Sequence, residues 1–448
     1  MAAGTKYNYP PRLPLISFFI NAESIRKNPI PFHRKFFTTY GDTFSVRLNR
    51  KKYILLSRDK EVVQHILQKQ HKNYFKSQIQ TKYLSKYLGM GLLTANGDFW
   101  LRQRRMIQPA FHKKKMDSLL EIMQHSIEQQ LRDLPVDNEV DAFPIMNQLA
   151  FKVVADSLFN LTVDPARLER LQHIIQEIQL FLVKEVRLPH KGWWFKLSGQ
   201  EKKHLDLSQE SRDIIQTIID NRKADTSSHD DLLDLLLATR YEDTGEPMSD
   251  QQLIDEISIL FVAGHETTAN ALTFISYLLA KHPEYQEQVL EEVKSAEAST
   301  DNLIEKLSGL PLTKAAIEEA MRLYPPAWIT DRENYEDDDI AGYHVRKNTL
   351  VGVSFYELHR NPKYWKEPDV FKPERFLPEN RKDTNGIYYP FGAGPRMCIG
   401  MGFAMYEMML AIAYLVKHYR ISTTRSSVEM NPLITLKPVD VFVTFESR

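Results

Sequence analysis

Residues 391–400 read FGAGPRMCIG and contain Cys398, the only cysteine of the chain. Three glycines surround this cysteine, and glycine lets a backbone approach a flat ligand closely. A helix predicted from about Ile399 to Lys417 would direct its N-terminal N–H groups back at the sulfur, which favours thiolate over thiol. Arg396 lies two residues earlier and could meet a carboxylate of the same ligand. One thiolate, backbone donors and an adjacent arginine together suit a cysteine that is the axial ligand of haem iron. The alternative is that Cys398 is a buried structural cysteine.

Composition excludes several classes of protein. The 448 residues contain 58 Lys and Arg and 58 Asp and Glu, so the formal net charge is zero and no global attraction to nucleic acid or anionic membrane follows. A single cysteine excludes an intramolecular disulfide and any site that needs two thiolates. The chain therefore fits a reducing compartment, and we expect a cytoplasmic protein with no nucleic-acid partner.

Apolar stretches do not indicate a membrane span. Leu13–Ile20 is far shorter than the ~20 residues that cross a bilayer. The longest apolar region, Ile257–Ala280, carries His265, Glu266 and Asn270 in its middle. We interpret that region as a helix buried in protein, and we expect a soluble chain with no transmembrane segment.

Helical periodicity dominates between Arg58 and Ala280. The predicted helices there are Glu61–Gln68, Asp98–Gln108, Lys114–Arg132, Ala142–Phe159, Pro165–Val183, Glu201–Lys223 and Asp250–Lys281. The last has a capping-box signature in Ser249 and Gln252, and Pro283 marks its end. Before this region, Thr43–Leu48 and Lys52–Ser57 are predicted strands of a hairpin around residues 49–51.

The pattern changes after Pro283. Helices are predicted at Glu284–Ala296 and Thr313–Tyr324, short strands extend to about Tyr356, and Asn361–Pro390 is proline-rich and irregular. No segment is flexible enough to separate domains. We therefore predict one domain over residues 1–448, mostly α with a minor β part.

Several residues of the cysteine segment together resemble the haem-binding loop of the cytochrome P-450 family, and Glu407 in the following helix matches too. These loop residues are Phe391, Gly394, Arg396, Cys398 and Gly400. The resemblance implies the single-domain cytochrome P-450 fold, with haem b (heme b) bound to the thiolate of Cys398 as the axial iron ligand.

Two further motifs resemble the family's structural cluster. Glu319 and Arg322 share one helix face at a spacing of three residues, and Arg375 stands in a segment that resembles the one whose arginine joins this pair. The resemblance implies a Glu319–Arg322–Arg375 cluster that fixes the irregular segment before Cys398. Without the resemblance, the pair reads as a solvated surface ion pair.

Three other residues resemble the family's partners of the haem propionates. Trp100 and Arg104 are four residues apart on a predicted helix and so share a face, and the family uses such a pair to bind a propionate. Arg332 stands where the family often places another propionate partner, although a surface arginine is the plain alternative. Arginine suits this role because its planar fork donates two parallel hydrogen bonds to a carboxylate.

Glu266 and Thr267 form an acid–alcohol pair in the middle of the long predicted helix. Thr267 can bond the carbonyl four residues back, which we expect to bend the helix and open its backbone. Cleavage of dioxygen needs two protons, and a carboxylate with a hydroxyl can relay them. A polar stripe on a buried helix is the alternative. His265 is expected to face away from the iron.

The resemblance implies a monooxygenase that inserts one oxygen atom of dioxygen into a substrate C–H bond. Electrons would come from NAD(P)H through a separate ferredoxin or flavodoxin with its reductase. A finer resemblance is to bacterial enzymes that oxidatively demethylate 6-O-methyl-D-galactose. The alternatives are a fatty-acid or terpenoid hydroxylase, a peroxide-driven haem-thiolate peroxygenase, and a haem sensor or carrier without turnover.

Two surfaces carry secondary predictions. The family places substrate contacts near Ser77–Tyr83, near Trp193 and Trp194, and at Trp328, which would suit a sugar-like or amphipathic ligand. Cations near the haem loop would steer an acidic electron donor. These cations are Arg102, Arg105, Lys113, Lys114, Lys115, Lys372, Arg381 and Lys382.

Overall fold

A computed structural model describes residues 7–48, 52–111, 116–160, 163–225 and 227–448. The predicted hairpin loop at residues 49–51 and the predicted docking residues Lys113, Lys114 and Lys115 lie outside the described residues.

The helices account for most of the described chain. In chain order the α-helices are α1 Leu15–Ile20, α2 Ala22–Lys27, α3 Ile30–Tyr40, α4 Lys60–Gln64, α5 Ser85–Leu88, α6 Gly97–Ile107, α7 Met116–Leu131, α8 Ala142–Phe159, α9 Pro165–Arg187, α10 Gly192–Leu197, α11 Gln200–Ala224, α12 Leu232–Ala238, α13 Asp250–Lys281, α14 Pro283–Ser299, α15 Leu303–Ser308, α16 Pro311–Leu323, α17 Phe355–Leu358 and α18 Met401–His418. Two π-helical turns, His65–Lys69 and Ile79–Leu84, extend α4 and precede α5.

The strands are short. They are β1 Arg12–Leu13, β2 Thr43–Arg47, β3 Tyr53–Ser57, β4 Tyr74–Phe75, β5 Glu139–Asp141, β6 Ile329–Asn334, β7 Asp338–Ile340, β8 Tyr343–Val345, β9 Thr349–Ser354, β10 Tyr419–Ser422, β11 Glu429–Pro432, β12 Leu436–Val439 and β13 Phe442–Ser447. The predicted fold class, mostly α with a minor β part, is confirmed.

Caps and apolar faces explain why the two central helices have the bounds that were predicted. Asp141 precedes α8 and accepts the N–H of Phe143 at 3.1 Å. Ser249 precedes α13 and accepts the N–H of Gln252 at 3.2 Å, which satisfies one of the free donors at the helix start. The predicted capping box is only half formed, because the Gln252 side chain donates instead to the Met90 carbonyl at 2.9 Å.

The chain divides into two compact units. The sheet unit comprises Met1–Ser77, Glu318–Cys398 and Met430–Lys437. Its six strands pair in the order β1-β2-β3-β9-β6-β4. Successive side chains of a strand point to opposite faces, so Leu55 joins the cluster around Val62 and Ile66, whereas Leu56 packs with the aromatic side chains of α3.

The helical unit comprises Gln78–Ile317, Ile399–Glu429 and Pro438–Arg448. Helix α13 packs along α8, and α7 packs against both α8 and α18. A small sheet of order β10-β13-β5 completes the unit. No helix among the described residues is both long and apolar enough to cross a membrane. The single domain over residues 1–448 stays a prediction.

Candidate functional site around Cys398

Backbone hydrogen bonds close the cysteine segment into a tight loop. The N–H of Cys398 donates to the carbonyl of Phe391 at 2.9 Å, and the N–H of Met397 donates to Gly394 at 3.1 Å. The side chain of Cys398 is exposed at the end of this loop. Helix α18 begins at Met401, two residues later than predicted, because Ile399 and Gly400 form a turn between the cysteine and the helix. The loop thus presents one thiol from a backbone that is fixed on both sides.

Gly394 is the position where the loop requires glycine. Its φ is +70°, a left-handed conformation that other residues rarely adopt, and an added Cβ would lie 1.8 Å from the carbonyl oxygen of Leu67. Leu67 belongs to the π-helical turn His65–Lys69, in which the N–H of Gln70 donates to the His65 carbonyl. The loop therefore rests directly on the backbone of this turn, with no room for a side chain between them.

Glu319 and Arg322 form a fully buried ion pair on α16. The guanidinium donates from Nε and Nη2 to the two carboxylate oxygens at 2.7 and 2.8 Å, and neither side chain is exposed. Its remaining N–H groups donate to the carbonyls of His359, Pro368 and Val370 at 2.6 to 3.1 Å. All five donors of Arg322 are therefore satisfied, which is what burial of a guanidinium requires.

Arg375 joins this pair, as predicted. Its Nε lies 3.4 Å from Glu319 Oε1, and the same oxygen accepts the backbone N–H of Lys372 at 2.9 Å. Because the cluster bonds backbone groups between His359 and Lys372, it fixes the irregular segment before the cysteine loop. The predicted Glu319–Arg322–Arg375 cluster is confirmed, and the alternative of a solvated surface pair is wrong.

His359 is a residue that sequence reasoning missed. Its Nε2 accepts the backbone N–H of Tyr389 at 2.9 Å, while its own carbonyl accepts from Arg322. The imidazole is completely buried, and this burial, with the charges of Arg322 and Arg360, holds its pKa well below the usual value. A neutral ring with Nε2 as acceptor carries its proton on Nδ1. His359 therefore connects the buried ion pair to the start of the cysteine loop.

Arg332 and Arg396 lie near each other in the sheet unit. Burial, together with the charge of Arg332, lowers the pKa of Arg396 to about 10, and burial lowers the pKa of Arg332. Arg332 bonds the Asp331 carbonyl at 2.6 Å, and Arg396 lies 3.5 Å from the Tyr74 carbonyl. Two desolvated like charges favour an anionic partner. The exposed thiol and this cationic pair fit a haem with its carboxylates.

Thr267 and Glu266 lie half-buried in the middle of α13. Thr267 Oγ1 donates to the Ala263 carbonyl at 2.7 Å, as predicted. The predicted opening of the helix is wrong, because every residue from Asp250 to Lys281 is α-helical. His265 is buried, and its Nδ1 bonds the Phe261 carbonyl at 2.8 Å, which accounts for it as a packed core residue.

Trp100 and Arg104 lie one turn apart on α6, as predicted. Trp100 is buried, whereas Arg104 is half-buried and its Nε donates to Gln108 at 3.3 Å. Their role in binding a propionate stays a prediction.

The tryptophans expected to contact substrate are engaged elsewhere or exposed. Trp328 is buried and donates its indole N–H to the Leu433 carbonyl at 3.0 Å. Trp193 and Trp194 are 67% and 47% exposed on α10. Ser77 donates to the carboxylate of Asp331 at 3.0 Å. None of these contacts supports a sugar-binding surface.

The predicted cationic docking surface is weaker than expected. Arg102 lies 2.8 Å from the carboxylate of Asp243, and Arg105 lies 3.8 Å from Glu242. Arg381 is paired with Glu318 at 2.8 Å. Ion pairing cancels much of the local field that these residues would provide.

Comparisons with known proteins agree with this geometry. A sequence model of the Cytochrome P450 family matches residues 8–445. Cyclooctat-9-en-7-ol 5-monooxygenase of Streptomyces melanosporofaciens is 31% identical over 75% of this chain and 73% of its own length. Echinocystic acid 23-monooxygenase of Saponaria officinalis is 32% identical over 80% of this chain and 73% of its own length. Cyclooctatin synthase of Streptomyces melanosporofaciens is 33% identical over 74% of this chain and 73% of its own length. The chain therefore belongs to the cytochrome P450 family, the monooxygenases that carry haem b on an axial cysteine thiolate and take electrons from NAD(P)H through partner proteins.

Proposed function

We propose that Cys398 is the axial thiolate of a monooxygenase that hydroxylates a C–H bond of a largely apolar substrate. The observation that carries this proposal is the exposed thiol on a loop that Gly394 seats against Leu67 and that the His359–Tyr389 bond fixes. When bound, haem supplies the activation of dioxygen and the oxidation of the C–H bond.

Four residues are proposed to hold the haem carboxylates. Arg332 and Arg396 provide two neighbouring guanidinium groups, and Trp100 and Arg104 provide an indole N–H and a third guanidinium on one helix face. Each carboxylate accepts charge-assisted hydrogen bonds from these donors. In the sheet unit, such bonds also relieve the repulsion between Arg332 and Arg396.

Glu266 and Thr267 are proposed to deliver protons. Thr267 Oγ1 uses its hydrogen to bond the Ala263 carbonyl, so its lone pairs can accept from a water molecule and orient it. The half-buried carboxylate of Glu266 can take a proton from solvent and release it inward. In this division, the hydroxyl of Thr267 positions the water molecule and the carboxylate of Glu266 transfers the proton.

For the substrate, the hydroxylase alternative is better supported than sugar demethylation. Two relatives are named as monooxygenases of cyclooctat-9-en-7-ol and echinocystic acid. By contrast, Trp328, one of the three tryptophans in the candidate substrate segments, is buried, and its indole N–H donates to the Leu433 carbonyl. We therefore propose a terpenoid or fatty-acid hydroxylase, with O-demethylation of 6-O-methyl-D-galactose as the competing proposal. A ferredoxin or flavodoxin with its reductase is the proposed donor, and the cytoplasm the proposed location.

The test is a ligand screen on the purified haem protein. Reduced protein with carbon monoxide should show the strongly red-shifted Soret band of thiolate ligation, and Cys398→Ser should lose it. Terpenoids and fatty acids should shift the haem spin state and yield hydroxylated products. A spin shift with 6-O-methyl-D-galactose and stoichiometric formaldehyde would favour demethylation instead. Full turnover with hydrogen peroxide alone would support the peroxygenase alternative.

A further inference from the structure

The carboxylate of Asp338, the first residue of β7, binds two side chains that come from a distant part of the sequence. His65 Nε2 and the hydroxyl of Tyr74 each lie 2.8 Å from its Oδ2. Its Oδ1 accepts the backbone N–H of Asp339 at 2.8 Å. Both oxygens of this carboxylate are therefore engaged in hydrogen bonds.

The protonation of this group follows from its surroundings. Burial alone would raise the pKa of Asp338, but its hydrogen bonds, chiefly those from His65 and Tyr74, hold the pKa below the ordinary value. An ionised carboxylate only accepts, so His65 Nε2 is the donor in the bond between them. Burial, together with the bond to Asp338, raises the pKa of Tyr74, so the phenol keeps its proton. Because Tyr74 is only 1% exposed, solvent cannot readily replace Asp338 as its acceptor.

The two partners of Asp338 are the first and last residues of one segment, residues 65–74. His65 begins the π-helical turn His65–Lys69, which contains the Leu67 carbonyl that lies against Gly394 of the cysteine loop. Tyr74 begins β4 and pairs with Asn334 of β6. One carboxylate therefore holds both ends of the segment on which the cysteine loop rests.

The far end of this segment lies beside the arginines that are proposed to bind the haem carboxylates. The guanidinium of Arg396 lies 3.5 Å from the Tyr74 carbonyl and 5.8 Å from the centre of the Phe75 ring. Strand β6, which pairs with β4, carries Arg332. A shift of residues 65–74 would therefore disturb the surroundings of these arginines as well as the cysteine loop.

Apolar packing alone leaves the position of this segment less well defined. Leu67, Tyr74 and Ile340 share one core cluster with Ala393 of the cysteine loop. The rings of His65 and Tyr74 meet edge to face, with their centres 6.1 Å apart. Hydrophobic contacts are non-directional, whereas hydrogen bonds depend on distance and angle. The bonds to Asp338 are thus the contacts that fix where the two ends of the segment lie.

We propose that Asp338 is a positioning residue for the haem site, through its bonds to His65 and Tyr74. The proposal rests on the proposed role of Cys398 as the axial thiolate. By holding residues 65–74, Asp338 keeps the Leu67 carbonyl against Gly394 of the loop that presents the sulfur. Hydrogen bonds to an ionised acceptor are among the stronger ones in proteins, and loss of this acceptor would leave a buried phenol unsatisfied.

Substitutions at Asp338, made in the haem-loaded full chain, test the proposal. In Asp338→Leu, reduced with carbon monoxide, the ratio of protein without the thiolate Soret band to protein with it should rise roughly tenfold or more. The reduction potential of the haem should also rise, because a loosened thiolate donates less electron density to the iron. Asp338→Asn should recover part of the band, since its amide oxygen still accepts the Tyr74 hydroxyl.

Two further variants separate positioning from loss of stability. Asp156 is a matched control, since it is a buried carboxylate of α8 that accepts from Ser126 and Lys152 at 2.6 Å each. Asp156→Leu should keep the thiolate band in whatever fraction remains folded by circular dichroism. If Asp338→Leu does not fold, Tyr74→Phe, which removes one hydroxyl, should still weaken the band.

The outcomes distinguish this proposal from the function on which it rests. A normal band in both Asp338→Leu and Tyr74→Phe, or equal loss in Asp338→Leu and Asp156→Leu, would overturn the positioning role alone. A parent protein without the thiolate band would contradict the axial role of Cys398, and the positioning role with it.

Discussion

The imidazole of His359 accepts the backbone N–H of Tyr389 at 2.9 Å, although thirty residues separate them. The carbonyl of His359 accepts from Arg322, and the Tyr389 carbonyl accepts from Gly392 in the cysteine loop. A hydrogen-bonded path therefore runs from the buried ion pair to the loop that presents Cys398.

His359→Leu should loosen this loop. The substitution leaves the N–H of Tyr389 without its acceptor, which costs about 1–3 kcal/mol for a buried donor. Reduced protein with carbon monoxide should lose part of the thiolate Soret band, and His359→Gln should recover some of it. His33 is a matched control, since it is another buried histidine of the sheet unit. If His33→Leu and His359→Leu lose the band equally, the path has no specific role.

Gly394→Ala should abolish the thiolate spectrum, because the new methyl group would collide with the Leu67 carbonyl. Gly392→Ala is the control. Gly392 also has a positive φ, +72°, but nothing lies within 4 Å of an added Cβ. It should cost only the backbone strain, ~1 kcal/mol, and keep the spectrum. Equal spectra for the two variants would contradict the seating of the loop on the π-helical turn.

Glu319→Gln should destabilise the fold by about 3–5 kcal/mol, because it leaves the buried charge of Arg322 without its counter-ion. Glu210→Gln removes the partner of Arg170 in an ion pair that is more than 40% exposed on both sides, and should change stability by less than ~1 kcal/mol. Chemical unfolding measures both. A small effect of Glu319→Gln would show that the cluster is not a structural anchor.

Stability should fall on acidification through His33. Burial lowers its pKa to about 4 from an ordinary value of 6.5. The unfolded chain therefore takes up a proton that the folded chain refuses, so stability is full above pH 6.5 and declines between pH 6.5 and 4, by about 3 kcal/mol at most. Urea unfolding of the parent and His33→Gln across this range should show a shallower slope for the variant. Parallel pH profiles would mean that the folded chain protonates His33 as readily as the unfolded chain does.

Thr267→Ala should keep haem and substrate binding, while electrons are diverted to hydrogen peroxide. The reason is that the proposed role of the hydroxyl is to position water, so its removal takes away no proposed ligand of the haem. Thr268→Ala removes a neighbouring hydroxyl that is buried and bonds the Gly264 carbonyl at 3.0 Å. It should leave coupling of NAD(P)H use to product nearly unchanged. Unaltered coupling in Thr267→Ala would remove this residue from the proton path.

Local patterns account for what the sequence could predict. Helices α8 and α13 were predicted with their observed bounds, because apolar periodicity and the caps Asp141 and Ser249 are both local signals. The cluster at Arg322 followed from the resemblance to the family, since spacing alone favours a solvated surface ion pair. The π-helical turn was not predicted, since its apolar spacing resembles that of an α-helix, and its close approach to Gly394 joins positions more than three hundred residues apart. The role of His359 was not predicted either. Its partner is the backbone N–H of a distant residue, which the pattern of side chains in the sequence does not reveal.

The π-helical turn at His65–Lys69 also limits how the length of this segment can change during evolution. A π turn accommodates one residue more than the α turn it replaces, and the carbonyl of Leu67, which faces Gly394, belongs to this turn. Deleting a single residue would restore α geometry and rotate the carbonyl by roughly 100° around the helix axis. We therefore expect insertions and deletions to be disfavoured in this turn, just as substitutions should be at Gly394, although the two are distant in the gene.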